Sequence, residues 1–462
     1  MPEVSEVAHI VALLKRNVIG FKISKVNLQL DKLLFPVLKD SPNPEEELEK
    51  MKQTFIDSEI HSTGRHGKYF WLRLLRGGDP KENSNVLLMH FGMTGMIKIR
   101  NVKSHLVFME NGGDKKFKKK LEGEEDEASE IKVELDSEWP PRFTKFEFEL
   151  IKGDNKLELA FCDPRRLGRA RLITDPKAAT DEGLLTLPPL NVLGPDYSKS
   201  EEYVKSETEF IFGDPDPSHH GRPRLGIQDF NKLILTRKKP LKSLLLDQQL
   251  FAGVGNWVGD EITFHAKLHP EEVISSKVEN NIEVIHPIIQ KLYDSIIYVC
   301  EECVKCEGNA KQFPDHWLML HRWGKARKKQ GKSQTKEGYV LDHITVGGRT
   351  SCYAPEIQKL LKKEFGVEDG DVEVKKEPKK KAAKSIKDEP NVEVEVSLKE
   401  PKKSPRKRVK KEEDVELKET KVIKPKRAKR ATENPPNGEA PKETEVVSGR
   451  RRSTRIKSRT NI

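Results

Sequence analysis

Hydrophobic positions recur along the chain with two different periods. In residues 4–14, VSEVAHIVALL, apolar side chains fall on one face of a helix. Pro2 can stand at the first helical position, where no backbone N–H is missed. The pattern predicts a short N-terminal helix with one buried face.

After Gly20 the pattern changes to short β-type runs separated by turn-rich or charged pieces. The runs are FKISKVNLQL, KYFWLRLL, NVLLMHF, MIKIR, FEFELI, LELAF and RARLI. Such a series predicts an antiparallel β-sandwich or barrel. Residues 109–140 carry 11 acidic and 6 basic residues, and they predict a disordered, solvated insertion between strands.

The chain changes character from about Leu193. Residues 213–224, GDPDPSHHGRPR, have the composition of a linker. LKSLLLDQQ, a glycine-punctuated turn and NWVGDEITFHA then predict a compact pair of helices, and residues 277–306 have helical periodicity. Residues 338–354 predict a β-hairpin that turns at Gly347–Gly348.

These changes predict an α+β multidomain protein in four parts. The parts are an N-terminal helix and β-sandwich domain (1–192), a helical domain (193–316), a hairpin (317–365) and a disordered tail (366–462). The tail consists largely of Lys, Glu, Pro and Ser, with almost no aromatic residues. It therefore lacks the apolar surface that a core needs.

Positive charge is concentrated in this tail. The chain has a net charge of +11, and 29 basic and 19 acidic residues lie from Gly366 onward. The runs KKSPRKRVKK, KPKRAKR and GRRRSTRIKSR predict attraction to a polyanion and import into the nucleus. Without a bilayer-length apolar run or a basic leader before Glu3 and Glu6, we expect a soluble intracellular protein with no membrane partner.

Five cysteines are too few and too clustered for a disulfide framework. Cys300, Cys303 and Cys306 have a spacing that also occurs in metal and iron–sulfur sites. Their segment, IIQKLYDSIIYVCEECVKC, has helical periodicity, so three-residue steps drift around the helix surface. Ordinary helix cysteines are the better interpretation, and no metal or cofactor is expected.

The N-terminus offers a nucleophile. Removal of Met1 before the small Pro2 would expose a secondary amine, and an amine can form a Schiff base with a sugar carbon. Glu3 and Glu6 lie beside it and can move protons. Ordinary helix-start chemistry explains the same residues, and on this segment alone it is the better interpretation.

Five segments carry a resemblance to a known family. In chain order they are MPEVSEVAHIV, GKYFWLRL, LLMHFGMTGMIKI, DPRRLGRARLI and LLLDQQLFAGVGNWVGDEITFHAKLHP. Together they closely resemble the formamidopyrimidine-DNA glycosylase/endonuclease VIII family of base-excision repair enzymes. The likeness covers roughly residues 1–360 outside two insertions. It is greatest to the formamidopyrimidine branch, in particular to plant and fungal members with long basic tails.

The resemblance implies a bifunctional DNA glycosylase and AP lyase. It would excise oxidised purines, especially formamidopyrimidines, from damaged double-stranded DNA, as a monomer and without a cofactor. Pro2 would attack C1′, release the base and form an imine, and β- and δ-elimination would then cut the strand. Glu3 would donate and accept protons, Glu6 would position the sugar, and Lys68 would assist base release and contact phosphate.

The family likeness also implies residues that support base extrusion. Met93, Arg165 and Leu167 occupy the positions that fill the gap left by the extruded base. His90 is a candidate phosphate contact. Leu167 departs from the formamidopyrimidine pattern, where an aromatic residue is usual, so damage search or opposite-base choice is expected to differ.

Further DNA contacts are expected around the glycine turn and the hairpin. Asn256 stands where a helix would start, and helix N-terminal amides bind phosphate, with Lys242 adding charge. Arg349 matches the family's finger arginine. Most members hold this hairpin with four cysteines, but the last two positions here are Ala354 and Ile357, so a zincless finger is expected.

Two alternatives stay open. An endonuclease VIII-like preference for oxidised pyrimidines fits Leu167 and the zincless finger, whereas DPRRLGR argues against it. A non-enzymatic DNA- or chromatin-binding protein is opposed by the joint presence of Pro2, Glu3, Glu6 and Lys68. Activity on 8-oxoguanine is left open, because the loops of the lesion pocket have no readable motif.

Deletion of the residues after Gly366 should weaken non-specific duplex affinity by roughly tenfold or more at about 0.15 M salt, because the tail's cations release counterions from DNA. Lesion cleavage at low salt should be unchanged, since the matched residues all precede the tail. Filter binding and oligonucleotide cleavage measure the two effects. Loss of cleavage on truncation would contradict this division.

Overall fold

The computed structural model describes residues 2–78, 84–106, 138–200, 221–322 and 333–363. The predicted tail and all but the last three residues of the predicted insertion lie outside these ranges. The described residues belong to one compact unit of the chain. Within them, no helix has the length and apolar character needed to cross a membrane.

Strands predominate in residues 22–173 and helices in residues 181–305, as the sequence pattern predicts. The described helices are α1 (Val4–Val18), α2 (Val37–Asp40), α3 (Pro44–Phe55), α4 (Asp181–Leu185), α5 (Ile227–Thr236), α6 (Leu241–Leu245), α7 (Asn256–Ala266) and α8 (Pro287–Lys305). The described strands are β1 (Lys22–Leu28), β2 (Glu59–His66), β3 (Tyr69–Leu75), β4 (Ser84–His90), β5 (Met96–Ile99), β6 (Thr144–Lys152), β7 (Asn155–Cys162), β8 (Arg169–Ile173), β9 (Asp342–Val346) and β10 (Arg349–Tyr353).

Strands β1 to β8 form an antiparallel sheet in the order β5-β7-β6-β1-β2-β3-β4-β8. Strands β1 and β2 share the single pair Lys22–Glu59, so the sheet divides into two halves there. A common core joins the halves: Phe91 packs on Phe70 at 4.6 Å and on Phe161 at 5.8 Å between ring centroids. The predicted α+β class with an antiparallel sheet domain, a helical domain and a terminal hairpin is confirmed.

Helix α1 is buried on more than the single predicted face. Val7 and Val11 belong to the core of the sheet, whereas Val4 and Ala8 belong to the core of the helical part. Glu3 is the N-cap, so Pro2 precedes the helix and does not occupy its first position. Because both cores hold α1, the start of the chain is fixed between them.

Several elements differ from the sequence pattern. Helices α2, α3, α4 and α5 were not predicted. Strand β2, EIHSTGRH, has no apolar alternation and was not predicted, yet Arg65 and His66 within it are fully buried. The helix predicted over 277–306 begins at Pro287, where His286 caps its first turn through Ile288 N–H. The proline favours this start because its missing N–H costs nothing at a helix N-terminus.

Strand β2 is buried because a polar network at its end ties it to the segment after α4. Arg65 donates to Asp196 Oδ2 at 2.7 Å and to Ser198 Oγ at 2.9 Å, and Lys199 Nζ donates to Arg65 O at 3.1 Å. Gly67 N–H also donates to Asp196 at 2.9 Å. Burial disfavours the charged carboxylate, but Arg65 and Lys199 outweigh it and hold the pKa of Asp196 well below its usual range.

Arg65→Met should lower the free energy of unfolding by about 3–5 kcal/mol, because it leaves the buried Asp196 carboxylate without its main cation. Urea unfolding followed by circular dichroism measures the change. Arg100→Met is the control, since Arg100 pairs with Glu158 while 39% exposed, and its loss should cost at most about 1 kcal/mol. Equal losses in the two variants would show that the buried pair has no special weight.

Candidate active site

The start of the chain lies against the turn between α6 and α7. Glu3 is 2% exposed, and its carboxylate oxygens accept the backbone N–H groups of Trp257 at 3.0 Å and Val258 at 3.1 Å. These amides belong to the first turn of α7, where no intrahelical acceptor exists. The carboxylate therefore binds the positive N-terminal end of the α7 dipole. This contact fixes the position of Glu3, and with it that of the neighbouring Pro2.

Two glycines make this approach feasible. Gly253 has φ +93°, and a Cβ there would lie 2.9 Å from Val4 Cβ. A Cβ on Gly255 would lie 2.1 Å from Glu3 Cδ, inside the carboxyl group. The glycine-punctuated turn, interpreted from sequence as a chain reversal, thus also provides the space that the N-terminus occupies.

Glu6 and Lys68 meet Glu3 at the same place. Glu6 Oε2 accepts Glu3 N–H at 2.8 Å and Ser5 Oγ–H at 3.1 Å. Burial, and then the charge of Glu3, raises the pKa of Glu6. Lys68 Nζ donates to Val254 O at 3.0 Å, and burial lowers its pKa although both glutamates oppose the shift. Both groups are thereby biased toward the neutral form, which suits proton transfer.

Two neighbouring turns, each of which connects the two halves of the sheet, carry the predicted gap-filling residues. Met93 lies in the turn between β4 and β5, and Arg165 and Leu167 lie in the loop between β7 and β8. Arg165 is exposed, whereas Met93 and Leu167 are half-buried. A Cβ on Gly92 would lie 2.3 Å from Leu167 O, so the two turns touch at their backbones.

The two turns are joined by Asp163, which no sequence pattern singled out. This carboxylate is 1% exposed and accepts Thr94 Oγ–H at 2.9 Å from one turn. From its own loop it accepts the N–H groups of Arg165 at 3.1 Å and Gly168 at 2.7 Å. An aspartate that opens a turn commonly bonds the amide two residues on, which is the signal that DPRRLGR offered.

His90, predicted to contact phosphate, is the last residue of β4 and lies just before the turn that holds Met93. Burial, with smaller contributions from Lys68 and Arg169, lowers its pKa to about 3, so the ring is neutral at physiological pH. Nδ1 accepts Gly92 N–H at 3.1 Å. The proton of the neutral ring then lies on Nε2, which makes that nitrogen a donor suited to an anion.

The hairpin β9–β10 is attached to α7 through Asp260. This buried carboxylate binds Lys242, lies 2.5 Å from Arg322 Nη2, and accepts the N–H of Cys352 in β10 at 3.2 Å. An apolar cluster that includes Phe264 and Cys352 packs beneath the hairpin. Asp260 therefore links the hairpin to α7 by charge and by a backbone hydrogen bond, and no sequence pattern indicated this role.

The prediction that Lys242 contacts DNA directly is not supported by its position. Its side chain is 0% exposed, and its ammonium donates to Asn256 O and to Asp260. Burial lowers the pKa of Lys242 although Asp260 opposes the shift. Lys242 thus acts on the start of α7 from inside the protein.

Asn256 and Arg349 lie side by side at the surface. Asn256 is half-buried at the start of α7, and its amide Nδ2 donates to Thr350 O at 3.0 Å. Arg349, the residue before Thr350, is exposed where the hairpin turn ends. Burial, and to a smaller extent the charge of Arg349, lowers the pKa of Lys68, so the hairpin tip lies within electrostatic range of Lys68.

No group of three or more His, Cys, Asp or Glu side chains is arranged to hold a metal in the described ranges. Cys300 and Cys303 lie in α8 and Cys306 caps its end, as the periodicity predicted, and all three are free and buried. Burial raises the pKa values of all three groups, which favours the protonated thiol. Ala354 and Ile357 belong to the apolar cluster of the hairpin.

Comparison with known proteins identifies this architecture. The model of the formamidopyrimidine-DNA glycosylase N-terminal domain matches residues 1–170, and that of the H2TH domain of the same enzyme matches residues 214–312. A formamidopyrimidine-DNA glycosylase of Arabidopsis thaliana is 28% identical over 389 residues, 84% of this chain and 77% of the relative. One from Pelotomaculum thermopropionicum is 26% identical over 364 residues, 78% of this chain and 100% of the relative.

Solved structures were compared with the chain as well. A complex of the LlFpg protein with THF-DNA and an inhibitor gives a TM-score of 0.50 at 19% identity, over 78% of this chain and 100% of that one. Formamidopyrimidine DNA glycosylase of Lactococcus lactis on AP-site DNA gives 0.49 at 19% identity, over 77% and 99%. At this identity the likeness concerns the fold alone.

The sheet domain, the glycine turn before α7 and the hairpin are together those of a DNA-repair glycosylase. The two family models span more than half of the sequence, and the chain belongs to the formamidopyrimidine-DNA glycosylase family. The resemblance inferred from sequence is confirmed. A member of this family is a DNA glycosylase, which sets aside the non-enzymatic alternative.

Asp260→Ala should release the hairpin from α7 and so expose Cys352, now 1% exposed with a pKa raised to about 12 by burial. Alkylation by iodoacetamide, read by peptide mass spectrometry, should accelerate by about tenfold or more, because a buried ionic contact has lost its anion. Cys162, buried in β7, is the internal control and should keep its rate. An unchanged rate at Cys352 would contradict the anchoring role.

Proposed function

We propose that this protein is a bifunctional DNA glycosylase and AP lyase that removes oxidised purines, formamidopyrimidines above all, from damaged duplex DNA. One observation carries the proposal. Glu3, Glu6 and Lys68 lie close together beside Pro2, at the N-terminus of α7 and the turn before it. The names of the relatives support the choice of formamidopyrimidine lesions.

With Met1 removed, the lone pair of the Pro2 nitrogen attacks C1′ of the damaged nucleotide. The bond from C1′ to the base breaks, and the base leaves with a proton. The sugar ring opens when its oxygen takes a proton, and the Pro2 nitrogen and C1′ are joined as an iminium. Each oxygen of Glu3 accepts one backbone N–H and keeps a second lone pair, so its carboxylate can carry the protons of these steps.

The iminium withdraws electrons and acidifies the neighbouring C–H bond. Loss of the C2′ proton expels the 3′-phosphate oxygen by β-elimination, and a further proton loss expels the 5′-phosphate by δ-elimination. Water then hydrolyses the imine and restores the Pro2 amine. Lys68 would assist base release and contact the phosphate beside the sugar, and the lowering of its pKa by burial supports its part in proton transfer.

Extrusion of the base leaves a gap in the duplex that protein must fill. Met93, Arg165 and Leu167 would fill it from the two turns that Asp163 joins. Arg165 is exposed and cationic, and Leu167 presents an apolar side chain. The backbone contact between the turns means that the wedge would enter the duplex as one rigid body.

Phosphate contacts would surround this wedge. Asn256 at the start of α7, Arg349 at the hairpin tip and the Nε2–H of His90 all present donors at the described surface. Such contacts position a duplex without reading its sequence. We propose that the hairpin holds Arg349 there without zinc, because Asp260 and the apolar cluster attach it to α7.

An endonuclease VIII-like preference for oxidised pyrimidines is the second candidate, since Leu167 stacks less well than the aromatic residue usual in the formamidopyrimidine branch. Release of bases from duplexes that carry formamidopyrimidine, 8-oxoguanine or thymine glycol separates the candidates. Faster release of thymine glycol would favour the second.

The basic runs of the tail support the further proposal that the enzyme works in the nucleus, where we propose that it acts as a monomer.

A non-cleavable N-terminal tag should reduce borohydride trapping on abasic-site DNA by about 100-fold or more, because it converts the Pro2 amine into an amide. The same tag at the C-terminus is the matched control and should leave trapping intact. Gel analysis of the covalent complex measures both, and mass spectrometry of the untagged protein should show that Met1 is absent. Full trapping by the N-terminally tagged protein would exclude Pro2 as the nucleophile.

A further inference from the structure

Trp257, the second residue of α7, contacts both glutamates of the site through different groups. Its backbone N–H donates to Glu3 Oε1 at 3.0 Å, and its indole Nε1–H donates to Glu6 Oε1 at 3.2 Å. The other oxygen of Glu6 is held by Glu3 N–H and Ser5 Oγ–H. The indole is therefore the donor that orients the free end of the Glu6 carboxylate.

The indole is itself held in place. Trp257 is 4% exposed, and its ring packs on Phe313 at 5.6 Å between centroids. Phe313 packs in turn on the fully buried Trp317 at 4.9 Å. Since the helix fixes the backbone and this aromatic cluster fixes the ring, the indole N–H is a preorganised donor.

Several titratable groups face Glu6. Glu3 from the same helix start repels its charge, Lys68 from the β2–β3 turn attracts it, and the Cys303 thiol of α8 lies behind it. One turn along α1, His9 is bonded to Glu307 at 2.9 Å. Burial and Glu3 favour protonated Glu6, whereas a donor to its carboxylate favours the ionised form, so the indole opposes both.

We propose that Trp257 is a positioning residue for the reaction: its backbone N–H holds Glu3, its indole N–H holds Glu6, and together they set the separation of the two acids. This inference rests on the proposed function, with Glu3 as the proton carrier and Glu6 as the group that positions the sugar. No sequence pattern indicated it, because the two bonds join residues near the N-terminus to the start of α7.

Trp257→Phe removes the indole donor and keeps an aromatic ring on Phe313. The pH profile of single-turnover base release should change in the limb that Glu6 controls, which is the limb that Glu6→Gln abolishes. Loss of a donor to the carboxylate raises the pKa of Glu6 further, so that limb should move to higher pH. One hydrogen bond of ordinary strength corresponds to about half to one pH unit.

Trp317→Phe is the matched control. It removes the indole donor to Tyr298 Oη at 3.1 Å within the same aromatic cluster, and its pH profile should equal that of the wild type. Benzothienylalanine at position 257 replaces the N–H by sulfur at nearly constant shape. It gives the same test free of packing changes if circular dichroism shows that Trp257→Phe is misfolded.

A shift at position 257 that is absent at position 317 supports the proposal. If Glu6→Gln abolishes the limb but neither change at Trp257 moves it, the positioning role is overturned while the proposed function stands. If Glu6→Gln has the wild-type profile, the role of Glu6 in the proposed function fails, and the positioning role fails with it.

Discussion

The bond between the Glu3 carboxylate and the first amides of α7 is the contact on which the rest of the site depends. It joins the second domain to the start of the chain, where the proposed nucleophile Pro2 lies. The helix end supplies N–H groups that have no internal acceptor, and the carboxylate supplies the charge that these groups favour. Helix α1 has residues in both apolar cores, so it places this contact between the sheet and the helical part.

Glu3 fixes the N-terminus by accepting hydrogen bonds from a distant segment. Three further buried carboxylates fix other segments in the same way. Asp163 joins the two turns of the wedge, Asp260 attaches the hairpin to α7, and Asp196 ties β2 to the segment after α4. Each is paired or hydrogen-bonded at several positions, which a buried charge requires. Loss of such a partner costs about 3–5 kcal/mol, a large share of the roughly 5–15 kcal/mol that stabilises a typical protein.

Much of the fold follows from local pattern. The apolar alternation of runs such as KYFWLRLL and FEFELI marks seven of the eight strands of the sheet, and the Gly347–Gly348 turn marks the hairpin. Strand β2 was not predicted, because its buried side chains include the polar Arg65 and His66. Their burial is stabilised by hydrogen-bond partners more than 100 residues away in the sequence. The order of the five matched segments located Pro2, Glu3, Glu6 and Lys68, because none of these residues is distinctive in isolation.

By itself, the sequence determined the class of fold and the family and led to the proposal of which side chains carry the chemistry, because periodicity, glycine placement and motif order can be read along the chain. Tertiary structure alone decided how those side chains are held. Lys242 was predicted from sequence to contact DNA, but its side chain is buried against Asp260. Trp257, which no sequence pattern indicated, donates hydrogen bonds to both glutamates. Partners in such contacts are chosen by the packing of distant segments, and no local pattern of residues records that choice.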